Sequence, residues 1–211
     1  MPVLLNVILE RLVTDPDGVY IDGTLGGGGH TEEILKRLSP KGKLYAFDLD
    51  TAAINHCREK FRGELGKGED SRLVLVNESY RMACSIKGAE GTINGFLLDL
   101  GVSSRQLDDG CRGFSYRANS ALDMRFGSQG ASASEILHAA KEEELERILR
   151  NYGEEPFAKQ IASRLVEVRR FSAINTTFDL RNIVEACVPA GMKFSSLSRV
   201  FQAFRIATND E

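Results

Sequence analysis

Asp22, Asp48 and Asp99 each follow a short apolar run, and the first leads straight into Gly23-Thr24-Leu25-Gly26-Gly27-Gly28-Gly29-His30. A strand, a glycine-rich turn and a helix make the first half of a nucleotide-cofactor site. The glycines let backbone approach the ligand, and the helix N-terminus faces it. The acid selects among ligands. At the strand end Asp22 would face the ligand, repelling a pyrophosphate and attracting the ammonium and sulfonium of S-adenosylmethionine. That argues against a nicotinamide oxidoreductase. Asp48 lies about 20 residues beyond the glycines, where an acid takes ribose hydroxyls. Taken singly, each aspartate also serves as a strand or loop cap. Three at one crevice suit a polar, partly cationic ligand.

The elements that must position these acids can be read from periodicity. Apolar residues at 4, 5, 8, 9 and 12 make one face of a helix that ends at Asp15-Pro16. Strands are predicted at 19–21, 43–47, 73–76 and 93–99, with helices after Thr31 and Thr51 and a short one over 79–86. Strands alternating with helices predict a doubly wound, mostly parallel α/β sheet. After Asp99 the character changes. Residues 100–119 have no clean periodicity, and a loop that long in a compact domain is usually functional or disordered. From Ser132 onward only helices are predicted: 134–140, 141–151, 156–171, 177–188 and 196 to the end. Gly153 stops one and Pro156 starts the next.

The bulk numbers exclude several classes. The 211 residues suffice for one domain, or one carrying an insertion. A 42% hydrophobic, 27% charged chain is globular in type. The net charge of −3 gives no overall nucleic-acid footprint, so any RNA contact must come from local basic patches. Apolar runs are too short to span a bilayer, and the N-terminus lacks a signal-peptide pattern. Cys57, Cys84, Cys111 and Cys187 have no paired spacing for zinc or a redox couple, so no metal is expected. They read as reduced thiols of a cytoplasmic protein.

More distinctive is residues 97–109, Leu-Leu-Asp-Leu-Gly-Val-Ser-Ser-Arg-Gln-Leu-Asp-Asp, together with Arg112-Gly113-Phe114-Ser115-Tyr116 and Leu122-Asp123-Met124-Arg125. These blocks, with Pro2-Val3-Leu4-Leu5, Tyr152-Gly153-Glu154-Glu155, residues 157–162 and residues 201–206, resemble the bacterial small-subunit rRNA cytosine-N4 methyltransferases, the MraW-like family. Arg105 stands where that family usually has proline, and Asn119-Ser120-Ala121 where a Gly-Pro is common. The resemblance implies a class I, Rossmann-like S-adenosylmethionine-dependent methyltransferase with an inserted all-helical subdomain. It divides the chain into a methyltransferase domain, 1–107 and 196–211, and a substrate-binding loop and helical insertion, 108–195. It places cofactor contacts on Gly28, Gly29, His30, Asp48, Tyr80, Asp99 and Gln106. The reaction implied is methyl transfer to the N4 amine of a cytidine in the decoding region of small-subunit rRNA, free or in the assembled subunit. Asp99, Asp108 and Asp109 are the available acceptors for an amine hydrogen bond.

RNA would be held by Lys159, Arg164, Arg169 and Arg170, and by Lys193, Arg199 and Arg205 interleaved with Phe194, Phe201 and Phe204. Arg112 and Arg125 are expected to serve the substrate site. Other readings are a methyltransferase of DNA or a small molecule, and a non-catalytic RNA-binding module for ribosome assembly. A family sheet of seven strands leads to the expectation that the chain is a C-terminally truncated fragment.

Overall fold

The computed structural model describes residues 5–66, 71–86, 93–101 and 110–211. These fall into two compact units, Met1–Gly101 and Val102–Glu211.

The first unit is built on β1 (Val19–Asp22), β2 (Lys43–Phe47), β3 (Leu73–Val76) and β4 (Ile93–Leu97), all parallel in the order β3-β2-β1-β4. Strand periodicity sorts the side chains. Tyr20, Leu44 and Ala46 point to one face, where α1 (Leu5–Leu12), α2 (Gly29–Arg37) and α3 (Thr51–Lys60) bury Leu9, Ile34, Leu35, Ile54 and Cys57 against them. Ile21, Tyr45 and Phe47 point to the other, beside a 3-10 segment, Tyr80–Ser85. The short helix expected over 79–86 is therefore a 3-10 turn. Gly95 lets α1 lie close on β4, since a Cβ there would stand 2.7 Å from Leu12 Cδ1. The register of β1 on β4 skips Asn94, whose side chain accepts the Val19 N–H at 2.8 Å. Among the described residues β4 pairs only with β1, and residues 193–209 are helical.

The second unit holds α4 (Ala133–Ala139), α5 (Glu142–Gly153), α6 (Ala158–Val168), α7 (Thr177–Cys187) and α8 (Lys193–Asn209) around one apolar core. Capping boxes start α4 (Ser132 with Glu135) and α7 (Thr176 with Asp179). At the end of α5 the left-handed residue is Glu154, φ 51°, rather than Gly153. Gly153 is needed for another reason: a Cβ there would meet the Arg199 carbonyl at 2.6 Å, so α5 and α8 could not close on each other. Glu155, 2% exposed, ties the α5–α6 turn to α8 by accepting from Phe157 N (3.0 Å) and Ser196 Oγ (3.1 Å). Residues 193–211 pack with this helical unit.

Residues 110–131 form no helix or named strand but are well tied. Arg112 donates to the carbonyls of Arg125 (2.9 Å) and Phe126 (2.7 Å) and lies over the Phe114 ring. Arg125 forms a two-point ion pair with Asp123, at 2.8 and 2.7 Å. Asn209 closes the loop onto α8, accepting from Phe126 N and donating to the Met124 carbonyl. The two arginines expected to serve the substrate are thus engaged in holding their own loop.

Candidate active site

The strand order reverses between β1 and β4, and in such sheets the ligand crevice opens beyond the carboxyl ends of the strands at that point. Asp22 ends β1, Asp48 follows β2 and Asp99 follows β4, so the topology brings all three acids to that end.

Each acid does something different there. Asp22 is fully buried: its oxygens accept from the Thr24 N–H (3.1 Å) and the Thr31 hydroxyl (2.7 Å). Burial pushes its carboxyl above the usual carboxylate range, against the pull of those two donors. It braces the loop from beneath and does not present an open carboxylate to a ligand. Asp48 is half-buried. It accepts from Gly26 N and Asp50 N, both at 2.8 Å, which ties the end of β2 to the glycine loop. Desolvation raises its pKa too, opposed by these two N–H groups. Asn77 holds the Asp48 carbonyl at 2.8 Å. Asp99 is the most open of the three, its side chain 51% exposed and its carboxylate 3.7 Å from His30 Nδ1.

Thr24 links the set. Its N–H serves Asp22, and its hydroxyl accepts the Asp99 N–H at 2.8 Å. Thr24, Thr31 and Asn77 were not singled out from the sequence. The Asp22-Gly23-Thr24 spacing was the one available sign, since a hydroxyl two residues after an acid can serve a turn.

The glycine loop has an inner and an outer side. Gly26 (φ 49°) and Gly28 (φ 71°) are left-handed, and Gly28 opens α2 without a side-chain cap. A Cβ on Gly28 would stand 2.6 Å from Phe61 and 2.9 Å from Cys57 Sγ, so its inner side is packed against α3. A Cβ on Gly27 would meet nothing within 4 Å. Open space at Gly27, beside a helix N-terminus that has no side-chain cap and whose first-turn Glu32 is paired with Lys60, suits a ligand carboxylate or other acceptor. Tyr80 is half-buried on the Ile21–Phe47 face, with its Cβ 3.0 Å from where a Cβ on Gly23 would stand. Gly28, Gly29, His30, Asp48, Tyr80 and Asp99 therefore all lie in the sheet-bearing unit, around its glycine loop and strand ends. Gln106, Asp108 and Asp109 lie outside the described residues.

The expected RNA-holding residues divide. Phe201 and Phe204 are buried in the helical core, and Arg205 is locked to Glu211 at 2.7 and 3.0 Å. Arg164 pairs with Glu167 at 2.6 Å, and Arg169 caps the Leu137 carbonyl. Phe194 stands out in solvent. Among the described residues no group of three or more His, Cys, Asp or Glu is placed to hold a metal, and no helix is long and apolar enough to cross a membrane.

A parallel sheet with this order, a glycine loop under an uncapped helix and acids at successive strand ends together define the Rossmann-like fold of class I methyltransferases. Comparison with known proteins agrees. The MraW methylase family matches over residues 1–211. Proteins named ribosomal RNA small subunit methyltransferase H are similar throughout. The protein of Heliobacterium modesticaldum is 43% identical over 218 residues, covering 100% of this chain and 68% of its own. That of Leuconostoc mesenteroides is 43% identical, covering 99% and 68%, and that of Methylococcus capsulatus 44%, covering 99% and 69%. The chain thus spans about two thirds of each relative's length. It belongs to the MraW methylase family and is a methyltransferase.

Proposed function

We propose that this protein transfers the methyl group of S-adenosylmethionine to the N4 amine of a cytidine in the decoding region of small-subunit rRNA, acting in the cytoplasm on the RNA or the assembled subunit. The observation that carries the cofactor half is the convergence of strand ends and glycine loop at the β1/β4 switch. Donors there come from the start of α2, open space lies over Gly27, and Asp48 and Asp99 offer acceptors. The names of the relatives support the substrate half.

When bound, S-adenosylmethionine supplies an electrophilic methyl group on a sulfonium. In this reading Gly28, Gly29 and His30 hold its methionine moiety, Asp48 accepts from its ribose hydroxyls, and the Tyr80 ring covers its adenine. Gln106 is a further proposed contact. The cytidine amine is a weak nucleophile because its lone pair is delocalised into the ring. An acceptor for one N–H aligns that lone pair and takes up the proton released when nitrogen is methylated. Asp99 suits this role, being open, fixed through its own N–H to Thr24 and set beside His30. Asp108 and Asp109 are the other proposed acceptors. No covalent attack on the ring is needed.

The test supplies labelled S-adenosylmethionine and undermethylated small subunits, then maps the labelled base. Label on N4 of one rRNA cytidine is expected. Label on DNA or a metabolite instead, or RNA binding with no transfer, would reject the proposal.

A further inference from the structure

Phe194 is 66% exposed in the first turn of α8, with its ring edge-on to Tyr116 at 6.0 Å and 86°. Tyr116 is itself held fast. It packs edge-on to buried Phe201 at 5.4 Å, and its hydroxyl hydrogen-bonds Ser198 Oγ at 3.0 Å. The result is an aromatic face fixed from behind and open in front.

Its electrostatics differ from those of the chain as a whole. The chain carries a net charge of −3, yet the two segments that meet here, 110–122 and 188–209, contain no Asp or Glu and carry Arg112, Arg117, Lys193, Arg199 and Arg205. Arg112 is engaged within its loop and Arg205 with Glu211, while Glu185 lies 3.5 Å from Lys193. Arg117, next to Tyr116, is exposed, and its guanidinium makes no ion pair among the described residues. Helix α8 also opens with no acid in its first turn, which leaves the positive end of its dipole uncompensated.

We infer that Phe194, packed on Tyr116 and with Lys193 and Arg117 next to these two rings in sequence, is a stacking site for an unpaired base of a single-stranded RNA segment, with the two cations on the neighbouring phosphates. An exposed π-face beside cations recognises single strands, because a base buries the ring while its phosphates meet the charge. A duplex hides its base faces and cannot do this. The site rests on the RNA-substrate reading above and deepens it, placing RNA contact on the helical unit.

The test measures anisotropy of a labelled single-stranded RNA of about a dozen nucleotides, matched to the usual site sizes, with cofactor binding followed separately by calorimetry. Phe194→Ala and Phe194→Leu are expected to weaken RNA binding roughly tenfold or more, with Phe194→Trp within about twofold of the parent, because Leu keeps apolar bulk but lacks a π-face. Lys193→Ala should lower the slope of log affinity against log salt by about one. Cofactor affinity should be unchanged in all four. Phe194→Leu binding as tightly as the parent, or a parent that binds no single-stranded RNA, would overturn the inference. So would sedimentation in which Phe194→Ala abolishes self-association while RNA affinity stays intact, since the ring would then dock a second copy. Transfer to rRNA surviving Phe194→Leu with unchanged RNA affinity rejects the stacking site alone. RNA binding that depends on Phe194 without any transfer rejects the proposed reaction alone.

Discussion

Two aspartates with raised pKa values have separable roles at the residue scale. Asp48 accepts the Gly26 N–H and is the proposed ribose acceptor. Asp48→Ala should reduce cofactor affinity roughly tenfold to a hundredfold, the worth of hydrogen bonds to a charged acceptor of about 1.5–3 kcal/mol. Calorimetric titration checks this, and unchanged affinity would remove Asp48 from the site. Asp22 is a different case. Its folded-state pKa lies above the unfolded value of 3.8, so the folded chain holds this proton more tightly. The associated stability is fully present below the unfolded pKa and is lost as pH rises through the folded one. Asp22→Asn removes the titrating group while the Thr31 hydroxyl can turn to accept. The parent should therefore gain thermal stability relative to Asp22→Asn as pH falls through the raised value towards 3.8. Melting curves of both proteins across that window decide it, and a constant difference would mean Asp22 does not titrate with folding.

At the scale of the element, the glycine loop and α2 work as a pair with α3. Gly28 is left-handed and meets Phe61 and Cys57, whereas Gly27 faces open space. Gly28→Ala should cost about 1–3 kcal/mol of stability from strain and overpacking. Gly27→Ala should stay within about 0.5 kcal/mol of the parent, as surface changes usually do. Denaturant unfolding of the two variants measures the contrast, and equal losses would contradict the packing of the loop on α3. The same scale explains why two of the arginines differ from expectation. Arg112 and Arg125 sit in a polar stretch without periodicity, where sequence shows cations but not the carbonyls and carboxylate that engage them.

On the scale of the whole molecule, the two units have separate apolar cores. A unit with its own core and capped helices should fold alone. Residues 102–211 expressed by themselves should give a cooperative thermal transition with a helical circular dichroism spectrum. A chain that melts without cooperativity would show that the helices depend on the sheet. Stacking at Phe194 belongs to this unit, so the isolated piece should retain single-stranded RNA binding and lack cofactor binding.

Local pattern determined most of the architecture. Apolar runs bounded by Pro, Gly and Asp located four strands within a residue or two of their observed ends, because strands and turns are set by near neighbours. The glycine loop and the placing of Asp48 and Asp99 just beyond strand ends were legible for the same reason: a strand, a glycine turn and a helix start form a short-range motif. What only the tertiary structure decided is which side chains remain available. Burial and pairing engaged Phe201, Phe204 and Arg205, all expected to face RNA, and left Phe194 exposed. They placed Asp22 beneath the loop, and made Gly153 a contact with Arg199 rather than the left-handed helix stop. Arg205 meets Glu211 only six residues on and Asp22 meets Thr24 and Thr31 nearby, yet which side chains end up buried or engaged is fixed by three-dimensional packing, and no local periodicity carries that information.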